Sequence, residues 1–172
     1  MNPCPCGFYP DLSRCHCSEQ QIKRYIGKIS KPILDRIDIT VEASPISYED
    51  LRSSGKGETS ASIRKRIIKA QEIQRKRFQN TQEKDGNGQR KKSIYFNGEM
   101  GNREVERCCK LQAEDESFLK KIFEKRGLSA RACHKILKVA RTIADLAGTE
   151  NIEREHLCEA AGYRSLEDKF WK

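Results

Sequence analysis

A mainly α-helical chain, fronted by a cysteine-rich loop, is the fold class that three observations predict. From Gly101 onward, apolar residues recur at helical spacing between capping residues and glycines. Charged residues make up 34% of the 172 and hydrophobic residues 36%, and no apolar run approaches the roughly 20 residues of a membrane-spanning helix. The first 17 residues are rich in proline and glycine and hold four of the eight cysteines, as two C-x-C pairs. A chain of this length buries one good core, or one core with a small appended module.

The N-terminus has no basic region followed by an apolar stretch, so no signal peptide is read there and the cytoplasm is the expected address. In that compartment eight cysteines point to metal ligands or buried thiols rather than disulfides. The net charge of +9 is concentrated. Arg52 to Lys92 carries 13 Lys/Arg against 4 Asp/Glu, whereas the remainder carries 21 of each. Localised positive charge suits a polyanion, because Lys and Arg near phosphates release counterions. A solvated helix face followed by a charged disordered loop is the competing reading.

In chain order, residues 1–20 read as turns. Gln20 to Ile29 reads as a short helix with Ile22, Tyr25, Ile26 and Ile29 on one face, broken by Pro32. Ile37 to Val41 (I-D-I-T-V) alternates and is β-branched, which predicts a strand. Ser47 to Ser53 allows one or two helical turns. Glu58 to Asn80 reads as the first long helix, capped by Thr59 or Ser60, with Ile63, Ile67, Ala70, Ile73 and Phe78 in one arc and basic residues over most of the rest. Thr81 to Lys92 has no apolar residue and reads as a mobile linker. Ile94 to Phe96 re-enters structure. Helices are then expected to Leu111 with Asn102 as its cap, from about Glu114 to Arg126, from Ser129 to before Gly148, and from Glu153 to Ala161. Gly127 and Gly148 stand at natural C′ positions. In the third of these helices Cys133, Ile136, Leu137, Ala140, Ile143 and Ala147 form the expected buried stripe.

Cys4, Cys6, Cys15 and Cys17 supply the four donors that a tetrahedral Zn²⁺ takes, on a loop that needs no helix or strand beneath it. Four protein ligands leave no open position, so the expected ion is structural. His16 is a spare donor within the second pair, and reduced cysteines lining a loop is the alternative. Cys133 and Cys158 read as core residues. Cys108 and Cys109 point to different helix faces, so at most one joins the core. His134 and His156 read as ordinary helical residues.

Three segments carry a resemblance: Asn2-Pro3 within M-N-P-C-P-C-G, L-D-R-I-D at Leu34 to Asp38, and S-A-R-A-C-H-K-I-L-K-V-A-R-T-I-A-D-L at Ser129 to Leu146. With them the chain resembles the magnesium chelatase-like AAA+ ATPases of bacteria, the ComM/YifB group, along its whole length apart from the linker at residues 81–92. Such proteins join a Lon-protease-like domain, an AAA+ core and a C-terminal helical lid. The resemblance implies that this chain is the back part: residues 1–45 the end of the AAA+ α/β core with the cysteine loop, 46–99 the basic helix and linker, and 100–172 the lid. The chain contains no G-x-x-x-x-G-K-[ST] and no apolar run ending in Asp-Glu, so it is expected to be a C-terminal fragment, inactive alone, with Met1 an internal methionine.

By the same resemblance Asn2 matches the first sensor, which orients water near the γ-phosphate. Arg36 matches the arginine finger given to a neighbouring subunit's nucleotide. Arg131 matches the second sensor, reaching phosphate in cis. ATP and Mg²⁺ are the implied cofactors of the parent, and the implied partners are the rest of the polypeptide, neighbouring subunits of a hexameric ring, and DNA, with branch migration as the associated activity. No membrane partner is expected. Arg64, Lys65, Arg66 and Lys69 are the expected DNA contacts. Judged by residue chemistry alone, Arg36 between two aspartates also fits a local ion pair, Asn2 a turn, and Arg131 a dipole-disfavoured site off the buried stripe. Two other functions compete: a zinc-stabilised nucleic-acid-binding module without nucleotide dependence, and the ATPase subunit of a metal chelatase.

Overall fold

A computed structural model describes residues 1–43, 45–52, 57–79 and 93–165. Its contacts group into two compact units, Met1–Val41 with the described residues from Tyr163 on, and Glu42–Gly162. The regular structure of the described residues is helical, as expected, and among them no helix is long and apolar enough to cross a membrane. The linker expected at Thr81 to Lys92 lies outside the described residues.

In the first unit, Ser18 starts α1 (Glu19–Ile26) through a reciprocal cap. The Gln21 amide donates to Ser18 Oγ at 3.3 Å, and the Ser18 amide donates to Gln21 Oε1 at 2.8 Å. Ile26 is buried, with Ile22 and Tyr25 half-buried beside it. Pro32 does not break this helix. It sits in the first turn of α2 (Lys31–Leu34), where its missing N–H is no loss.

Ile37 to Val41 is not a strand, contrary to its alternating pattern. A strand needs a neighbour for its backbone groups, and none pairs with it among the described residues. The segment is tied instead to the far end of the chain. The Thr40 amide donates to Tyr163 O at 2.9 Å, and Arg164 Nη1 donates to Ile37 O at 2.9 Å. Ile37, Ile39 and Val41 remain exposed.

The second unit contains α3 (Tyr48–Arg52), α4 (Ser60–Gln79), a 3-10 turn at Asn97–Glu99, α5 (Asn102–Cys108), α6 (Ala113–Arg126), α7 (Ala130–Ala147) and α8 (Arg154–Gly162). Thr59 caps α4, its Oγ1 accepting from the Ser62 amide at 3.3 Å. Burial on α4 begins only at Ala70 and continues through Gln74 and Phe78, so Ile63 and Ile67, expected on the buried arc, are exposed. Helix α5 ends at Cys108 rather than Leu111, because Cys109 leaves helical geometry and turns into the core while Cys108 stays half-buried. Gly127 and Gly148 close α6 and α7 in the left-handed conformation.

α7 packs on α4, α5, α8 and the 3-10 turn, and Phe78, Val105, Ile136, Ile152 and Leu157 lie in the common core. Its buried face is rotated from the expected stripe. Ile136 and Ala140 are inside and Cys133, Leu137 and Ile143 half-buried, but Ala147 is exposed, while Arg141, Ala144 and Asp145 are inside. Cys158 is exposed rather than in the core. His156 is buried, and its Nδ1 accepts from the Glu153 amide at 3.0 Å, so it caps the start of α8.

The rotation has an electrostatic cause. The Asp145 carboxylate, fully buried, accepts from both terminal nitrogens of Arg77 on α4, from Arg141 Nε at 3.1 Å, and from Asn97 Nδ2 at 2.8 Å. Arg141 donates onward to Glu150 O and Thr149 O at 2.7 and 2.8 Å. The Asn97 amide donates to Gln74 Oε1 at 3.1 Å. One carboxylate thus joins α4, the 3-10 turn, α7 and the turn before α8. Removing it leaves two guanidinium groups without their counter-charge, a loss of about 3–5 kcal/mol for a buried pair. Asp145→Ala should therefore lower the urea midpoint of the chain sharply, whereas Lys120→Ala, at an exposed pair with Glu124, should leave it nearly unchanged. Equal midpoints for Asp145→Ala and the parent chain would remove the network from the fold's support.

Candidate metal centre and nucleotide-site residues

The cysteine loop is built from tight turns. The Gly7 amide donates to Cys4 O at 3.1 Å, and the Asp11 and Cys15 amides donate to Phe8 O and Asp11 O, both at 2.8 Å. The Asp11 side chain accepts from the Ser13 amide at 3.0 Å and from its hydroxyl at 2.6 Å. Arg14 stacks over the Phe8 ring at 4.1 Å. These turns fold the second C-x-C pair back onto the first.

The four sulfurs of Cys4, Cys6, Cys15 and Cys17 all lie within 4.8 Å of one another. Cys4 is 3.3 Å from Cys6 and 3.8 Å from Cys15, and Cys6 is 3.6 Å from Cys15, too far for a covalent bond. Thiolates about 2.3 Å from a tetrahedral zinc stand about 3.8 Å apart. The donor set therefore fits one tetrahedral ion.

The acidities agree with that fit. Burial pushes the Cys4 thiol up, but the Tyr9 amide, the Cys6 and Cys15 thiols and the Gly7 amide outweigh it and bring Cys4 down to about 6. The Cys17 amide favours a thiolate at Cys15, but burial, the thiols of Cys6 and Cys4 and the charge on Cys4 together push it up to about 12. Cys17 is raised by the same neighbours against the favourable Cys6 amide. One proton leaves readily and the next are costly unless a cation joins the sulfurs.

The remaining site residues are placed as follows. Asn2 is exposed, two residues ahead of Cys4, with its carboxamide lying over Gly7. Arg36 is exposed just after α2 and donates from Nη1 to Pro32 O at 2.9 Å. Arg131 belongs to the second unit and is exposed on the first turn of α7, one residue before buried Ala132. Arg64, Lys65, Arg66 and Lys69 are all exposed on the first half of α4, and Arg66 pairs with Glu58 at 2.7 Å. The four clustered cysteines, Asn2 and Arg36 thus share the first unit, and Arg131 and the basic residues of α4 share the second.

Residues 57–164 match the family described as magnesium chelatase, subunit ChlI C-terminal, and residues 1–51 match magnesium chelatase, subunit ChlI. Competence protein ComM of Haemophilus influenzae is 41% identical over 167 residues, 96% of this chain and 30% of that protein. The chain belongs to the magnesium chelatase-like ComM/YifB family. An uncharacterized YifB protein of Salmonella typhimurium is 37% identical over 97% of this chain, and an uncharacterized protein of Mycobacterium tuberculosis is 28% identical over 95%. The chain spans about 30% of the length of these relatives. Within the family frame, Asn2, Arg36 and the four cysteines fall in the segment matching the ChlI subunit, and Arg131 and the basic residues of α4 fall in the segment matching its C-terminal part.

Sequence reasoning missed the residues that organise the second unit. Arg77 stands in a run of basic residues, Q-R-K-R, and its burial against Asp145 has no local signal. Arg141 and Asp145 carry a faint one: they are four apart on α7, each one residue beyond a fully buried alanine.

The cysteine geometry makes a direct prediction. The purified chain should take up about one equivalent of Zn²⁺ by metal analysis, and Cys4→Ser with Cys15→Ser should abolish uptake. Full uptake by that double variant would show that the metal sits elsewhere.

Proposed function

We propose that this chain is the C-terminal part of a cytoplasmic AAA+ ATPase that acts on DNA as a hexameric ring. In this reading residues 1–45 finish the α/β core, 46–99 carry the basic helix, and 100–172 form the lid. The observation that carries it is the match to competence protein ComM over 96% of the chain, together with the matches to the ChlI subunit over residues 1–51 and to its C-terminal part over residues 57–164.

Three exposed polar residues then have distinct tasks. ATP with Mg²⁺ supplies the transferring phosphoryl group. Asn2 orients water beside it. Arg131 approaches the phosphates of its own subunit from the start of α7. Arg36 is offered to the nucleotide of the neighbouring subunit, where a planar guanidinium stabilises charge that develops in the transition state. Exposure supports this role, because a residue that acts across a subunit boundary cannot be buried in its own unit.

Zn²⁺ on Cys4, Cys6, Cys15 and Cys17 is structural in this reading. The first unit needs such a staple. Its buried apolar residues among those described are Cys4, Cys15, Ile26 and Leu34, too few to support a fold by burial alone. Arg64, Lys65 and Lys69, exposed along one stretch of α4, suit a phosphate backbone and carry no base-reading geometry.

The test uses a polypeptide in which this chain follows its ATP-binding loop. Arg36→Ala should lower kcat for ATP hydrolysis by about a thousandfold or more with little change in KM, the signature of a group that acts only in the transition state. Reversing Arg64, Lys65 and Lys69 to Glu should leave basal hydrolysis intact and abolish its stimulation by DNA, a stimulation that itself weakens steeply as salt rises. A kcat within about tenfold of the parent's for Arg36→Ala would rule out the arginine finger, and DNA stimulation surviving charge reversal would rule out the basic helix as the DNA contact.

A further inference from the structure

The cysteine loop and Asn2 are built as one piece. Asn2 is two residues ahead of Cys4, and Gly7 is one residue beyond Cys6. The turn closed by the Gly7 amide on Cys4 O, 3.1 Å, brings Gly7 back to Asn2. Gly7 has φ +84, a conformation that glycine adopts without cost and other residues rarely do. A methyl group placed there would stand 3.3 Å from Asn2 Nδ2 and 3.7 Å from its Cγ. A methyl group at Gly7 would therefore press on the Asn2 carboxamide, and the positive φ disfavours any side chain there.

The covalent chain reinforces this contact. Pro3 restricts Asn2 to extended backbone, and Pro5 fixes φ between Cys4 and Cys6. Among the torsions left between Asn2 and Gly7 are those of Cys4 and Cys6. The Cys4 sulfur is further held by the Tyr9 amide at 3.5 Å. An ion that joins Cys4 and Cys6 to Cys15 and Cys17 locks those torsions, and with them the floor beneath Asn2.

From this arrangement we infer that the metal loop is a positioning device for Asn2, with Gly7 as the positioning residue, so that occupancy of the four sulfurs sets the orientation of the sensor carboxamide. The inference rests on the metal and sensor assignments above. It gives the loop a task beyond stabilisation: loss of the ion disarms the sensor, as does two-electron oxidation of two of its thiolates by hydrogen peroxide, in which an S–S bond forms, the O–O bond breaks and two protons from solvent complete two waters.

The test is the Asn2 side-chain amide pair in ¹H–¹⁵N spectra of the 172-residue chain, recorded with one equivalent of Zn²⁺ and again after chelation. The pair should be dispersed and rigid on the nanosecond scale in the zinc form, and should collapse to the position of a free asparagine when the ion is removed. Gly7→Ala should retain its zinc and still shift the Asn2 pair toward the free position. Zinc uptake with an Asn2 pair that is free-like, or the same in both forms, overturns this inference alone. A chain that takes up no Zn²⁺ overturns the metal assignment and the inference with it.

Discussion

The helical unit depends on a single buried carboxylate. Asp145 lies on α7 with no access to water, and its two oxygens are shared among Arg77, Arg141 and Asn97. A carboxylate alone in such a place would be intolerable. Two guanidinium groups and an amide make it tolerable, and they reach it from α4, from α7 itself and from the 3-10 turn. The consequence is geometric rather than merely energetic. An apolar helix face tolerates rotation and sliding, but a forked Arg77–Asp145 contact does not. The network fixes the register of α4 against α7, and Asn97 brings in the 3-10 turn. Arg141 extends the same network to the carbonyls of the turn that starts α8.

The first unit solves the opposite problem. It has little apolar surface to bury and, among the described residues, no sheet partner for its β-branched segment. Tyr163 and Arg164 return to hold Thr40 and Ile37 through backbone carbonyls and amides, and the Arg164 side chain, 2% exposed, sits 3.8 Å from Asp35. At the other end the four sulfurs gather within reach of one ion. The two units therefore use different chemistry: a buried ion network in one, and gathered thiols with backbone clips in the other. In the proposed function the first sensor Asn2 and the arginine finger Arg36 are carried by the unit held by the proposed metal, and the second sensor Arg131 by the unit held by the ion network.

What could be read from the sequence was what local chemistry decides. Ser129, Gly127 and Gly148 bound their helices because capping acts within one turn, and Thr59 caps α4 for the same reason. The cysteine cluster was legible because each C-x-C pair holds two thiols together and Gly7 and Pro10 between the pairs turn the chain back on itself. What was not legible depends on partners far along the chain. Ile37 to Val41 has the pattern of a strand, but the pattern cannot state whether a neighbouring strand exists. Arg77 looks like one more cation in a basic helix, yet it is the residue that docks that helix. Ile63 and Ile67 share an arc with Phe78, and nothing local marks Ala70 as the point where burial begins. Ala147 turned out exposed because the inward face of α7 is shared by Asp145 and Arg141 with Ile136, Ala140 and Ala144. Cys158 points outward on α8 because the inward face there is taken by Leu157, Ala160 and Ala161.

The central claim is that the two units owe their order to separate devices. Native-state amide hydrogen exchange on the chain, with and without a zinc chelator, tests it most directly. Chelation should erase protection in the cysteine loop and α1 and leave α4, α7 and α8 as slow as before. Protection that falls equally in α7, or that stays unchanged in the cysteine loop, would contradict it.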